Sequence, residues 1–294
     1  MNNENLNFKI KHPIAFGCIS VLIYLFSEII LSALLYLIIF CFEAYGRIKI
    51  GFNESLIDDI VSILCCFLYV CLNRFVYIYK IKSLKKMFKN TYIICLIYLI
   101  LLLLIIIGLI EEKTSFKKGL EILPGFIKIF GIAFVEETLF RGIFCRFIAL
   151  KYGKNEKGIF LAVILSSGFF GLAHTINLLS GIPLNAIIQQ SVFAFAVGCF
   201  FAGMYLKSGN IWEPIIIHFV IDFTSLFPVY FTNSNQTFKT TVSDMGKTPI
   251  AVSLLRCGII LLLSYIIYLR KSKIKNLVSN VELMKEYELK HIKK

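Results

Sequence analysis

The segment Gly131–Phe144, GIAFVEETLFRGIF, sets two adjacent glutamates and an arginine in an otherwise apolar run. On a helix Glu137 and Arg141 stand four positions apart, in the order that favours an ion pair. Glu136 lies about 100° further round the helix and is poorly placed to share that arginine, so it needs a partner from elsewhere. Two other apolar segments offer partners. SSGFFGLAHTINLL carries Phe170 and His174 four apart, and SGNIWEPIIIHFVIDFTSLF carries His218 and Asp222 four apart, so that each pair leaves one helical face. Two carboxylates and two imidazoles are the parts needed to activate water: a general base near neutrality, with groups that hold a metal or stabilise an oxyanion. A structural ion-pair cluster among core histidines is the plainer alternative.

These residues sit in a chain built for lipid. Its 294 residues are 58% hydrophobic and 17% charged, with a mean hydropathy of +0.79, beyond the usual soluble domain. Hydropathy and punctuation predict an all-α, polytopic membrane protein of about eight transmembrane helices in one bundle, near 14–42, 58–79, 92–110, 125–150, 158–179, 184–206, 211–232 and 249–270. The run from Ile14 is too long for a signal-peptide core of about 7–15 residues, so it is expected to remain as the first span. Nine cysteines, mostly inside apolar runs, suit reduced thiols.

The net charge of +13 does not indicate nucleic acid, because the basic residues gather in short loops and the tail. Fifteen of them, among them Lys82 and Lys85, fall on the face shared by the two termini; seven, among them Arg47, Lys49 and Lys113, fall opposite. The excess places both termini in the cytoplasm, with the chain integral to the cell membrane. The tail Lys271–Lys294 spaces Leu277, Val281 and Met284 along one helical face, which fits either a surface-lying helix or a solvated tail.

Polar groups within spans face the bundle interior and mark functional sites. The assigned spans put His174 toward the outer end of its helix and His218 nearer the inner end of its own. They meet only where a helix tilts or breaks, and Gly168, Gly171 and Pro214 are the places for it.

At these residues the sequence resembles the CPBP family of CAAX proteases and bacteriocin-processing enzymes, also called the Abi or type II CAAX prenyl endopeptidase family. The EExxxR pattern matches Glu136 through Arg141, FxxxH matches Phe170 through His174, and HxxxN/D matches His218 through Asp222. The resemblance runs over about 120–230. It implies three parts: spans one to three with their loops (1–119), a catalytic core of spans four to seven (120–232), and the last span with a basic tail (233–294). It implies an intramembrane endopeptidase acting on a peptide or protein in the bilayer, in peptide maturation or bacteriocin self-immunity. Glu136 would activate water with help from His174. His218 and Asp222 would stabilise the oxyanion or, with Glu136 and His174, hold one divalent metal such as zinc. Glu137, Arg141 and Phe170 would support the site. Asp222 stands where many relatives carry asparagine, and its extra charge favours a cation.

Two readings from other classes stay open: a catalytically silent immunity or scaffold protein, and an ion-coupled transporter using Glu28, Glu136, Asp222 and Arg256. Ser167 reads as a packing residue between helices rather than a nucleophile. The motifs do not explain Glu28 or Arg256.

Overall fold

A computed structural model describes residues 8–46, 54–80 and 83–292. Arg47, Lys49 and Lys82 of the loop-charge pattern lie outside the described residues. In lipid every backbone donor and acceptor must be satisfied internally, which a helix does within one segment. Among the described residues the chain is accordingly helical, and its one extended pairing is an isolated bridge between Phe116 and Thr232.

The helices are α1 (Pro13–Gly46), α2 (Glu54–Leu72), α3 (Leu84–Glu111), α4 (Leu123–Glu137), α5 (Arg146–Tyr152), α6 (Glu156–Ala173), α7 (Leu184–Ser208), α8 (Trp212–Phe231), α9 (Phe238–Met245), α10 (Ile250–Ser264) and α11 (Lys271–Ile292). A π-helical stretch, Thr138–Cys145, joins α4 to α5. Among the described residues six helical segments are long and apolar enough to cross a membrane: Pro13–Glu43, Leu84–Glu111, Glu156–Ser180, Leu184–Ser208, Trp212–Phe231 and Ile250–Leu269. This is an integral membrane protein.

The spans expected near 58–79 and 125–150 are not among the six. The first ends early because the chain turns after Leu72: Arg74 adopts φ +60°, Phe75 N–H returns to Val70 O at 2.8 Å and Arg74 N–H to Cys71 O at 2.9 Å. That is a Schellman close, and Val76–Tyr79 follow as a 3₁₀ turn. The second becomes α4 of 15 residues, the π-helical stretch and α5 of 7 residues. Elsewhere side chains cap helix starts. Ser83 Oγ accepts from Lys86 N–H at 3.3 Å to open α3, and Asn155 Oδ1 accepts from Gly158 N–H at 2.9 Å to open α6.

Helix α4 packs between α2 and α8, α8 also packs on α3, and α7 lies between α6 and α10. The α6–α7 approach depends on Gly171, where an added Cβ would come within 2.7 Å of Ser191 O. One large core of Phe, Ile, Leu and Ala side chains runs through the bundle and includes Phe140, Phe144, Phe147, Phe170 and Phe201.

The tail is not solvated. Leu277, Val281 and Met284 join that core as buried side chains, together with Ile274. Near the end of α11 the buried Glu288 accepts from Arg146 Nη2 at 2.8 Å and Nε at 3.2 Å, and also from the Tyr77 hydroxyl. Glu288→Ala strands the Arg146 charge in the core, and breaking such a pair costs about 3–5 kcal/mol. A clearly lower unfolding midpoint in detergent is expected, against no shift for Glu282→Ala on the exposed face of the same helix.

Candidate active site

Helix α4 and the π-helical stretch after it carry three of the polar residues. Glu137 is fully buried and Arg141 is 1% exposed; Arg141 Nη1 donates to Glu137 Oε1 at 2.8 Å. The pairing expected from spacing is therefore made, although the turn that makes it is π-helical. Widened turns of this kind frequently mark functional sites, and nothing in the spacing foretold it.

Glu137 has a second partner that sequence did not suggest. His218 Nδ1–H donates to the same Oε1 at 2.9 Å. This bond fixes the imidazole's orientation and leaves Nε2 pointing the other way. Asp222 Oδ2 lies 3.4 Å from that nitrogen and Glu136 Oε2 lies 3.7 Å from it. Glu136, expected to need a partner from another span, meets His218.

The group has a covered side and an open side. Glu137, Arg141 and His218, the last with its side chain 8% exposed, form the backing; Glu136 at 30% and Asp222 at 24% form the front. Glu136 Oε2 is enclosed without a hydrogen-bond partner, as are Glu137 Oε2 and Arg141 Nη2.

Phe170 links the two histidines. Its ring meets His174 edge-on at 5.0 Å and His218 at 6.1 Å, while Arg141 Cζ stacks over it at 4.2 Å. His174 and His218 thus share contact with one phenyl ring. His174 Nδ1–H donates to Phe170 O at 3.0 Å, which leaves Nε2 as an acceptor.

A change of helix type falls near the expected place in α6. The α-helix ends at Ala173 and His174 opens the 3₁₀ turn His174–Ser180, directly after Gly171. Pro214 makes no kink: it lies in the first turn of α8, where a missing N–H is tolerated, and His218 follows in the second turn. Gly168 faces open space.

Two contributors fall outside the motifs. Phe201 on α7 lies 5.5 Å from the His218 ring and 5.3 Å from Arg141 Cζ. On the same face, a Cβ at Gly198 would sit 3.2 Å from Arg141 Nη2 and 3.0 Å from Ser167 Cβ. Ser167 is a buried packing residue here. The only sequence signal for either contributor was its place on an apolar span. Gly198→Val would push Arg141 off Glu137 and tilt His218; displacement of about 1 Å can cost about 100-fold in turnover. That loss, with Gly198→Ala intermediate, is the expected result of comparing cleavage rates.

Glu28 does not pair with Arg256. It stands beside the Tyr24 and Ser62 hydroxyls, which are 2.5 Å apart, whereas Arg256 is exposed on α10. Among the described residues no group of three or more His, Cys, Asp or Glu side chains is set to hold a metal ion.

Residues 118–224 match the family model described as type II CAAX prenyl endopeptidase Rce1-like. All three motifs fall inside that stretch. No curated protein and no solved structure matches the chain. That stretch is thus similar to Rce1-like domains of the CAAX protease family, and it ends somewhat short of the 120–232 core expected from the motifs.

Proposed function

We propose that this membrane protein, built around its Rce1-like domain, is an endopeptidase that hydrolyses a peptide bond in a membrane-associated substrate by glutamate-activated water. The observation that carries the reading is Glu136: part-exposed, with Oε2 lacking any hydrogen-bond donor and 3.7 Å from His218 Nε2. Glu136 takes a proton from a water that His174 Nε2 helps to hold, and the water oxygen bonds to the peptide carbonyl carbon. The oxyanion is met by the N–H at His218 Nε2, whose ring is held by the Nδ1–H bond to Glu137, while Asp222 flanks that N–H at 3.4 Å and offsets the imidazolium charge. Glu136 then passes the proton to the leaving nitrogen as the C–N bond breaks.

Glu137, Arg141 and Phe170 position these groups. A divalent ion would draw on Glu136, His174, His218 and Asp222 and would polarise the carbonyl. Among the described residues these four are not set around a common point, and each step above uses the chain's own groups. The full count of eight spans, with α2 and the α4–α5 run crossing as well, and the cytoplasmic termini belong to this reading. Peptide maturation and self-immunity are the roles it allows.

The test is reconstitution of wild type, Glu136→Ala and His174→Ala in lipid, followed by mass spectrometry of a peptide and leader library with and without chelator. Cleavage by wild type alone supports the reading. Wild type that cleaves nothing spared by Glu136→Ala gives way to the silent scaffold. Proton-coupled flux lost in Glu28→Gln would favour transport instead, since Glu28 and Glu136 border one cavity.

A further inference from the structure

The early close of α2 is followed by the short 3₁₀ turn Val76–Tyr79, which lies outside the stretch similar to Rce1-like domains. This turn touches both halves of the candidate site. The hydroxyls of Tyr79 and Thr138 lie 3.0 Å apart and share a hydrogen bond; Thr138 is the fully buried residue that follows Glu137 and opens the π-helical stretch. Tyr79 O accepts from Trp212 Nε1–H at 2.7 Å, and Trp212 is the first residue of the helix that carries His218. The Tyr79 ring stacks on Phe134 of α4 at 5.2 Å and lies 6.0 Å from the Trp212 ring.

A contact at this place has leverage on the chemistry. A π turn is a rare, local widening, and where it begins decides how Glu136 and Glu137 stand relative to Arg141. Two side chains of one 3₁₀ turn mark that place. Tyr79 bonds Thr138 at the start of the widened stretch, and Ile78 packs on Gly142 in its middle, where an added Cβ would come within 2.9 Å of Ile78 Cδ1. Through its carbonyl the same turn holds the start of α8. The 2.9 Å bond from His218 to Glu137 joins those two elements, so a shift of either one at Tyr79 moves imidazole against carboxylate.

We propose that Tyr79 is a positioning residue of the site, which by its hydroxyl and its carbonyl sets the turn bearing Glu136 and Glu137 against the imidazole of His218. The inference rests on the endopeptidase reading for its effect on turnover, and on the His218–Glu137 bond alone for its effect on geometry. The left-handed Arg74 that ends α2 then has a use, because it delivers Tyr79 to this place.

Tyr79→Phe keeps the ring and the backbone acceptor and deletes only the hydroxyl. It is assayed in the full chain in nanodiscs, on the library peptide that wild type cleaves fastest. It is expected to lower kcat about tenfold with KM held, as a displacement below about 1 Å allows. Thr138→Val removes the other half of the bond and should cost the same. The double variant should lose no more than either single one, and Thr138→Ser, which keeps a hydroxyl, should keep the rate. A second readout needs no turnover. The His218 Nδ1–H proton, seen by NMR in a chain carrying isotope-labelled histidine, exchanges with water when its bond to Glu137 opens. That exchange should speed about tenfold in Tyr79→Phe and in Thr138→Val, the upper range for loss of one hydrogen bond.

A purely packing role would lower the unfolding midpoint and leave kcat and exchange at the wild-type level, and that result overturns the inference. So do, where wild type cleaves, additive losses in the double variant, a slow Thr138→Ser, or a change in kcat or exchange without the other. Should wild type cleave no peptide while exchange rises in both variants, the endopeptidase reading falls alone and the positioning stands. Should wild type cleave and both variants match it in kcat and exchange, the positioning falls alone.

Discussion

Glu136→Gln is expected to lower peptide cleavage by about 10²–10⁴-fold, the range for loss of a general base. Glutamine keeps the length and hydrogen-bonding reach of the side chain, so the loss should fall on kcat more than on KM. The neighbouring substitution carries the opposite signature. Glu137 bonds both Arg141 and His218 from a fully buried position, so Glu137→Gln should lower the unfolding midpoint, whereas Glu136→Gln removes a carboxylate whose only contact is a loose 3.7 Å approach to His218 from a part-open position and should leave it level or raise it. Parallel measurement of cleavage rate and unfolding midpoint in one lipid system reads both. If the two variants lose activity and stability in the same proportion, the division of labour between the glutamates is wrong.

How much of this was legible in the sequence depends on whether the information was local. The Glu137–Arg141 pair was readable because four residues along a helix fix a distance, and the separation of Glu136 from that pair was readable for the same reason. The break at His174 was half legible: the glycines marked a place where α6 could fail, but not that the chain would tighten into a 3₁₀ turn at the histidine. The second bond to Glu137 was hidden, because it depends on how α8 sits against α4. So were Gly198 and Phe201, whose identities are unremarkable in an apolar span and matter only where α7 crosses Arg141. The charge of Glu28 was visible, but its cavity was not, since the walls come from separate helices. The early close of α2 shows a different limit: hydropathy continues through Phe75 and Tyr79, and only the left-handed Arg74 ends the helix.

Arg141→Met should be the most destabilising single change in the site. It leaves Glu137 charged and enclosed with only His218 beside it, and removing one partner of a buried pair costs about 3–5 kcal/mol. The guanidinium also lies over Phe170 at 4.2 Å and Phe201 at 5.3 Å. Arg141→Lys is therefore not conservative, because an ammonium cannot stack its plane between two rings. The double variant Glu137→Gln/Arg141→Met removes both charges while keeping approximate volume, and such replacements are often neutral. It should recover most of the lost stability. Activity should stay low, because the substituted amide offers His218 a neutral acceptor in place of the carboxylate that Arg141 holds in position. A double-mutant cycle on unfolding midpoint and cleavage rate separates the two effects. Recovery of both together would make the pair a packing element only; recovery of stability without turnover is what a positioning role for Glu137 and Arg141 requires.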